Sequence, residues 1–147
     1  MDAVTGDRGQ ALVLAVLVLA VAAVTIVGLR AAQERILADV RERRAGEAAI
    51  EAAGAALADA QLGFVGSLRD ELGGRRTLAT RAEIETFAAD PLVAERARTA
   101  AEALSTANGG PAVGTIQISL GGRTLELAMT VGAHQQRAAI EAACCLR

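Results

Sequence analysis

The chain has no tryptophan, tyrosine or lysine, and among its 147 residues only two phenylalanines, one histidine, two prolines and two cysteines. Each shortage closes a route. A soluble enzyme of this size spends aromatic side chains on its core and its pocket, and 1% aromatics leaves little for either. Without lysine there is no lysine nucleophile or Schiff base. All 15 basic residues are arginine, set against 17 acidic ones, for a net charge of −2 with both signs mixed along the chain. That is not a basic nucleic-acid footprint, and no nucleic-acid partner is expected. The one histidine, His134, has no serine and aspartate at a supporting spacing, so no hydrolytic triad can be assembled. It reads as a surface or hairpin-end residue.

Cys144 and Cys145 are adjacent. Neighbouring cysteines rarely bridge each other, because the tight ring strains the peptide. With no C-x-x-C spacing a zinc site is not expected. The pair reads as two small apolar residues or, outside the cytoplasm, as the source of an intermolecular disulfide through Cys144 or Cys145. Glu83 and Glu85 flank Ile84 on an expected helix and point about 200° apart, so they are not a paired-carboxylate site. The Gly-Gly pairs at 73–74, 109–110 and 121–122 lack the Lys-Ser/Thr of a phosphate loop. No catalytic, cofactor or metal residues are expected.

What the chain does have is a long apolar run. From Ala11 to Leu29 there are 19 residues without a charge, and 12 of them are Leu, Val or Ile. Such a helix spans about 28 Å, close to the roughly 30 Å hydrocarbon thickness of a bilayer. At about −0.3 to −0.6 kcal/mol each, the twelve residues favour insertion by roughly 4–7 kcal/mol. Asp7 and Arg8 bound the run on one side and Arg30 on the other. A domain this small could hardly bury a helix apolar on every side. A cleaved signal peptide has a shorter apolar region behind a clearly basic start. The expected organisation is a leader-like segment at 1–9, a transmembrane helix at 10–30, and an extramembrane head at 31–147. Orientation is open. Arg30, Arg35, Arg41, Arg43 and Arg44 follow the run and only Arg8 precedes it, which by the positive-inside rule places the head in the cytoplasm.

No proline interrupts residues 1–90, so the helix can run on as an amphipathic one to about residue 61. Ile36, Leu37, Val40, Ile50, Ala53, Leu57 and Ala60 form its apolar stripe. Arg43, Glu47 and Glu51 lie on a solvated side, and Gly63 and Gly66 are expected to end the helix. Residues 67–79 read as a short helix or loop. Thr80 to Glu83 fits a capping box. Asp90-Pro91 starts a further helix that runs to Ala107, before Asn108-Gly109-Gly110-Pro111. Then the period changes to two. Ile116, Ile118 and Leu120 alternate with polar residues, and so do Leu125, Leu127, Met129 and Val131 after Gly121-Gly122-Arg123, which predicts a hairpin. Its apolar face is expected to pack on the upper half of the long helix. Residues 137–145 could add a third strand, with Ala138, Ile140, Ala142 and Cys144 on one face, or form a short helix. The fold class is therefore α+β, with a small head of short helices and a 2–3-stranded antiparallel sheet.

A short charged leader, a glycine, an apolar helix running into an amphipathic one and a small α+β head together resemble type IV pilin-like proteins. Arg8, Gly9, Gln10, Ala11, Leu12 and Val13 resemble the R-G-Q-A-L-V-E start of TadE- and TadG-like proteins of the tight-adherence (Flp) pilus system. The resemblance implies a structural component of a pilus, pseudopilus or related secretion system, seated in the cytoplasmic membrane with an extracytoplasmic head. Its partners would be membrane lipid, other pilin or pseudopilin subunits and an inner-membrane assembly platform. It also implies processing between Gly9 and Gln10, with Gly6 and Asp7 as the alternative pair. The family's glutamate, five places after the glycine, is here Leu14. A subunit without that carboxylate cannot offer the usual charge pairing to the subunit ahead of it, which fits a minor, tip or initiating subunit. Ala11, Ala15 and Ala22 lie near one helix face and would allow close helix packing. The alternative reading, from a different class, is a single-pass membrane scaffold or sensor unrelated to pili.

Overall fold

The computed structural model describes residues 4–71 and 78–143, with side chains from Gly9 onward. Helix α1 spans Val4–Glu71, α2 Arg81–Ala89 and α3 Pro91–Ala107, and strands β1 Val113–Gly121, β2 Thr124–Val131 and β3 His134–Glu141 follow. The chain divides into two compact units, 1–39 and 40–147. Among the described residues the first holds only the N-terminal part of α1. The second is an α+β head in which the rest of α1, the two short helices and the sheet share one hydrophobic cluster.

Helix α1 does not stop at Gly63 or Gly66 but continues to Glu71. A glycine inside a helix costs only about 1 kcal/mol relative to alanine. Here Ala60, Phe64, Val65 and Leu68 pack against the core on either side of the two glycines, which holds the helix through them. The expected stripe also shifts. Ile36, Leu37 and Val40 are exposed, whereas Ala45, Ala49, Ile50, Ala53 and Leu57 are buried and Ala60 is half-buried. The face that meets the head is therefore mostly alanine, and small side chains let the backbone come close to what lies beneath it.

The two short helices begin as their sequences dictate. Thr80 Oγ1 accepts the Glu83 N–H at 3.3 Å while Glu83 Oε2 accepts the Thr80 N–H at 2.6 Å, which closes the capping box of α2. Asp90 Oδ1 accepts the Leu92 N–H at 2.8 Å, with Pro91 in the first turn of α3. Both devices satisfy helix N–H groups that have no partner within the helix. Ile84, Phe87 and Ala88 of α2 and Val93, Ala97, Ala101 and Ser105 of α3 are buried. At the end of α3, Ser105 Oγ donates to the Pro111 carbonyl at 2.7 Å and so fastens the turn that feeds β1.

The sheet is antiparallel in the order β1-β2-β3. Gly121 pairs with Thr124 and Val131 with His134, so each hairpin closes on two residues. The first residue of each turn, Gly122 at φ 66 and Gly132 at φ 57, lies in the left-handed region where side chains are disfavoured. The third element is a strand and not a helix, and it starts at His134 because the tight Gly132-Ala133 turn sets its register. A bulge interrupts β1 between Val113 and Ile116. Along β2 the alternation is complete, with Leu125, Leu127, Met129 and Val131 buried and Glu126 and Thr130 exposed. On β3, Ala138 and Ile140 turn toward the core cluster while Arg137, Ala139 and Glu141 stay exposed.

Candidate functional site

The feature without an explanation inside the chain is the first half of α1. Leu12, Val13, Leu14, Val16, Leu17, Val18 and Leu19 are 58–70% exposed, and Val21, Val24, Ile26, Val27 and Leu29 are 57–73% exposed. This much apolar surface in water costs on the order of 25 cal/mol per Å². The helix is long and apolar enough to cross a membrane, and nothing in its most apolar 18-residue window is buried. It is a candidate membrane span. Its one hydroxyl is satisfied locally, since Thr25 Oγ1 donates to the Val21 carbonyl at 2.8 Å. No polar side chain in the run is thus left without a partner in an apolar surround.

The residues singled out in the sequence fall on this helix. Ala11, Ala15 and Ala22 are exposed and, at four- and seven-residue spacing, lie near one face. Leu14 is 65% exposed. Gly9 and Gln10 are exposed within α1, and Gly6 and Asp7 belong to its first turns. Cys144 and Cys145 lie outside the described residues.

Among the described residues several acidic and basic side chains of the head pair with one another or with helix ends. Among the described residues no group of His, Cys, Asp and Glu could hold a metal ion. Glu83 is spent on the α2 cap, and Glu85 accepts from Arg81 Nε at 2.8 Å. Arg98 Nε donates to Glu102 Oε1 at 2.8 Å. That hydrogen bond, then the Glu102 charge and the Glu95 charge, hold the Arg98 guanidinium above its ordinary pKa. An arginine is protonated at any working pH, so no proton chemistry follows.

His134 stands at the start of β3 with its Nε2 4.0 Å from Glu42 Oε1, and the same carboxylate oxygen accepts the Ala133 N–H at 2.8 Å. This arrangement ties the β2–β3 turn to α1, a contact that sequence spacing could not show. Two features were not legible in the sequence. Gln61 is buried, and among the described residues its Nε2 has no hydrogen-bond partner. A shallow groove of about 600 Å³ runs beside α1, with Ala60, Phe64, Phe87 and Val93 along it and Asp59 and Arg96 among its polar residues. The two phenylalanine rings there stack with centroids 5.1 Å apart.

No family model, curated protein or solved structure matches this chain.

Proposed function

We propose that the chain is a minor pilin- or pseudopilin-like subunit of a tight-adherence (Flp) pilus or a related type IV filament or secretion system. It is anchored in the cytoplasmic membrane by residues 10–30 and carries an extracytoplasmic head. The observation that supports this reading most is the helix itself. A fully exposed, uncharged stretch continues without a break as the spine of a small α+β head. Such a subunit works by packing and not by chemistry. Lipid solvates the apolar helix until a neighbouring subunit replaces it, and close approach at Ala11, Ala15 and Ala22 adds van der Waals contact. With Leu14 where a carboxylate would neutralise a neighbour's amine, the subunit suits a filament tip or an initiation complex. It needs no partner ahead of it.

One observation favours a second reading. Five arginines, Arg30, Arg35, Arg41, Arg43 and Arg44, follow the span. By the positive-inside rule they hold the head in the cytoplasm, as in a single-pass scaffold or sensor. A reporter fused after Arg147 separates the two. An extracytoplasmic signal supports the pilin-like reading, and a cytoplasmic one replaces it with the scaffold. N-terminal sequencing of the membrane-extracted protein tests processing directly. A chain that starts at Gln10 or Asp7 has been cut as a prepilin is; one that starts at Met1 has not.

A further inference from the structure

The groove beside α1 has two unlike walls. Ala56, Ala60, Gly63 and Ser67 of α1 make one, and Leu92, Val93 and Arg96 of α3 belong to the other. The four small residues follow one another at spacings of four and three, which sets them along one strip of the helix. Among the described residues, and outside its own helix, nothing lies within 4 Å of the place where a β-carbon on Gly63 would stand. Leu92, on the α3 wall, is 70% exposed. One wall thus offers a place without a side chain, and the other a leucine left in water. The walls also differ in charge. Asp59 is on the α1 side and Arg96 on the α3 side, and both are exposed. Among the described residues neither makes an ion pair within the chain. Asp90 lines the groove as well, but its carboxylate already accepts the Leu92 N–H as the cap of α3.

These pairs also match in height. Phe87 stacks on Phe64 just before α3 begins, and Gly110, just after α3 ends, abuts Ala45. Helix α3 therefore runs back along α1. At 1.5 Å per residue, Arg96 stands within about one turn of the level of Asp59, and Leu92 within about one turn of Gly63. Suppose a second copy covers the groove about a two-fold axis that crosses the helices. Each α1 wall then meets the other α1 wall, so Asp59 opposes Asp59 and Arg96 opposes Arg96. About a two-fold axis that runs along the helices, each α1 wall meets the α3 wall of the other copy at the same level. Asp59 then opposes Arg96 twice, and each Leu92 comes over the other copy's Gly63. We propose that this groove is closed by a second copy of the chain, level with the first and related to it by a two-fold axis along α1. Only this axis points both copies of α1 the same way, so the proposal rests on the membrane anchoring proposed above. Two exposed ion pairs add little affinity, but they choose between the two axes. Confinement of both copies to one membrane raises their effective concentration. The contact is isologous and closes on itself, so it makes a dimer of heads and not an open array.

The test uses the full chain in membranes with Cys144→Ser and Cys145→Ser as background. Two differently tagged copies are co-expressed, one with Gly63→Cys and the other with Leu92→Cys, and the membranes are oxidised. In such a pair the second Leu92-over-Gly63 contact stays unaltered. The expected result is a mixed 63–92 disulfide between the two tags, in several-fold excess over the 63–63 and 92–92 products. Asp59→Arg in both copies should lower that yield several-fold. Adding Arg96→Asp to both copies reverses the two ion pairs and should restore it, which also shows that the charge variants still fold. Dominant 63–63 and 92–92 products, no disulfide between the copies, a disulfide to a different protein in its place, or indifference to the charge exchange would each overturn the proposal. Those outcomes leave the anchored-subunit reading intact if the reporter after Arg147 still reports an extracytoplasmic head. A cytoplasmic report removes that reading and leaves the dimer standing, because both copies still share one membrane.

Discussion

Replacing Leu17 and Leu19 together by arginine should release the chain from the membrane. The two side chains are 61% and 70% exposed, and neither belongs to the head's core cluster, so the head should fold as before. The cost is paid in lipid. Each leucine gives up about 0.3–0.6 kcal/mol of insertion energy, and each arginine near the helix centre adds about 2.5–3.5 kcal/mol. The pair therefore costs roughly 6–8 kcal/mol, against the roughly 4–7 kcal/mol by which the twelve aliphatic residues of the run favour insertion. A single Leu17→Arg costs about 3–4 kcal/mol and leaves insertion favoured by roughly 2 kcal/mol; the double variant tips the balance the other way. The assay is fractionation after an alkaline carbonate wash, with the unaltered chain in the pellet and the double variant in the supernatant. Far-ultraviolet circular dichroism of the released protein should still show the head's helices and strands. If the double variant stays in the pellet as firmly as the parent, lipid is not what the apolar face contacts. A parent chain that is soluble and monomeric without detergent would be equally damaging.

Four smaller perturbations probe the head and the helix. Leu57→Ala removes a side chain that is 1% exposed at the centre of the cluster. It should cost about 2–5 kcal/mol, read as a lower midpoint in urea. Gly132→Ala forces a side chain onto a φ of 57° and into the Glu42 carboxylate that holds the β2–β3 turn. A loss of about 1–3 kcal/mol is expected in the same titration, and an unchanged midpoint would mean the turn is not fixed as described. Thr80→Ala opens the α2 capping box and should cost about 1 kcal/mol, with faster amide exchange confined to α2. Ala15→Phe leaves the chain in the membrane but should reduce co-purification with partner subunits; full recovery would count against packing through that face.

The parts of the fold legible in the sequence are those set by short-range chemistry. The Thr80–Glu83 box, the Asp90-Pro91 start and the hairpin after Gly121 each depend on a few adjacent residues, and each stands where the sequence placed it. What depends on distant partners leaves no such local mark. Gly63 and Gly66 looked like a helix end because their cost is local, while the packing of Phe64, Val65 and Leu68 that overrides it is not. Ile36, Leu37 and Val40 fit the apolar stripe because they are large and correctly spaced, yet all three are exposed. Ala45 and Ala49 carry that role, and alanine, common throughout the chain, gives no local signal of it. The candidate span was the most legible feature of all, because an uncharged run needs no tertiary partner to be seen. The Glu42 clamp on the β2–β3 turn joins residues 91 apart and leaves no mark in any local pattern.

With no tryptophan or tyrosine in the chain, Phe64 and Phe87 are its two phenyl rings, and the fold uses both in one contact between α1 and α2. Near-ultraviolet dichroism, which in other proteins averages over many chromophores, has in the aromatic region a single source here. Loss of that signal with helix content intact would mean that α2 has swung away from the spine. A fully spectroscopic record of one joint is thus available without any label.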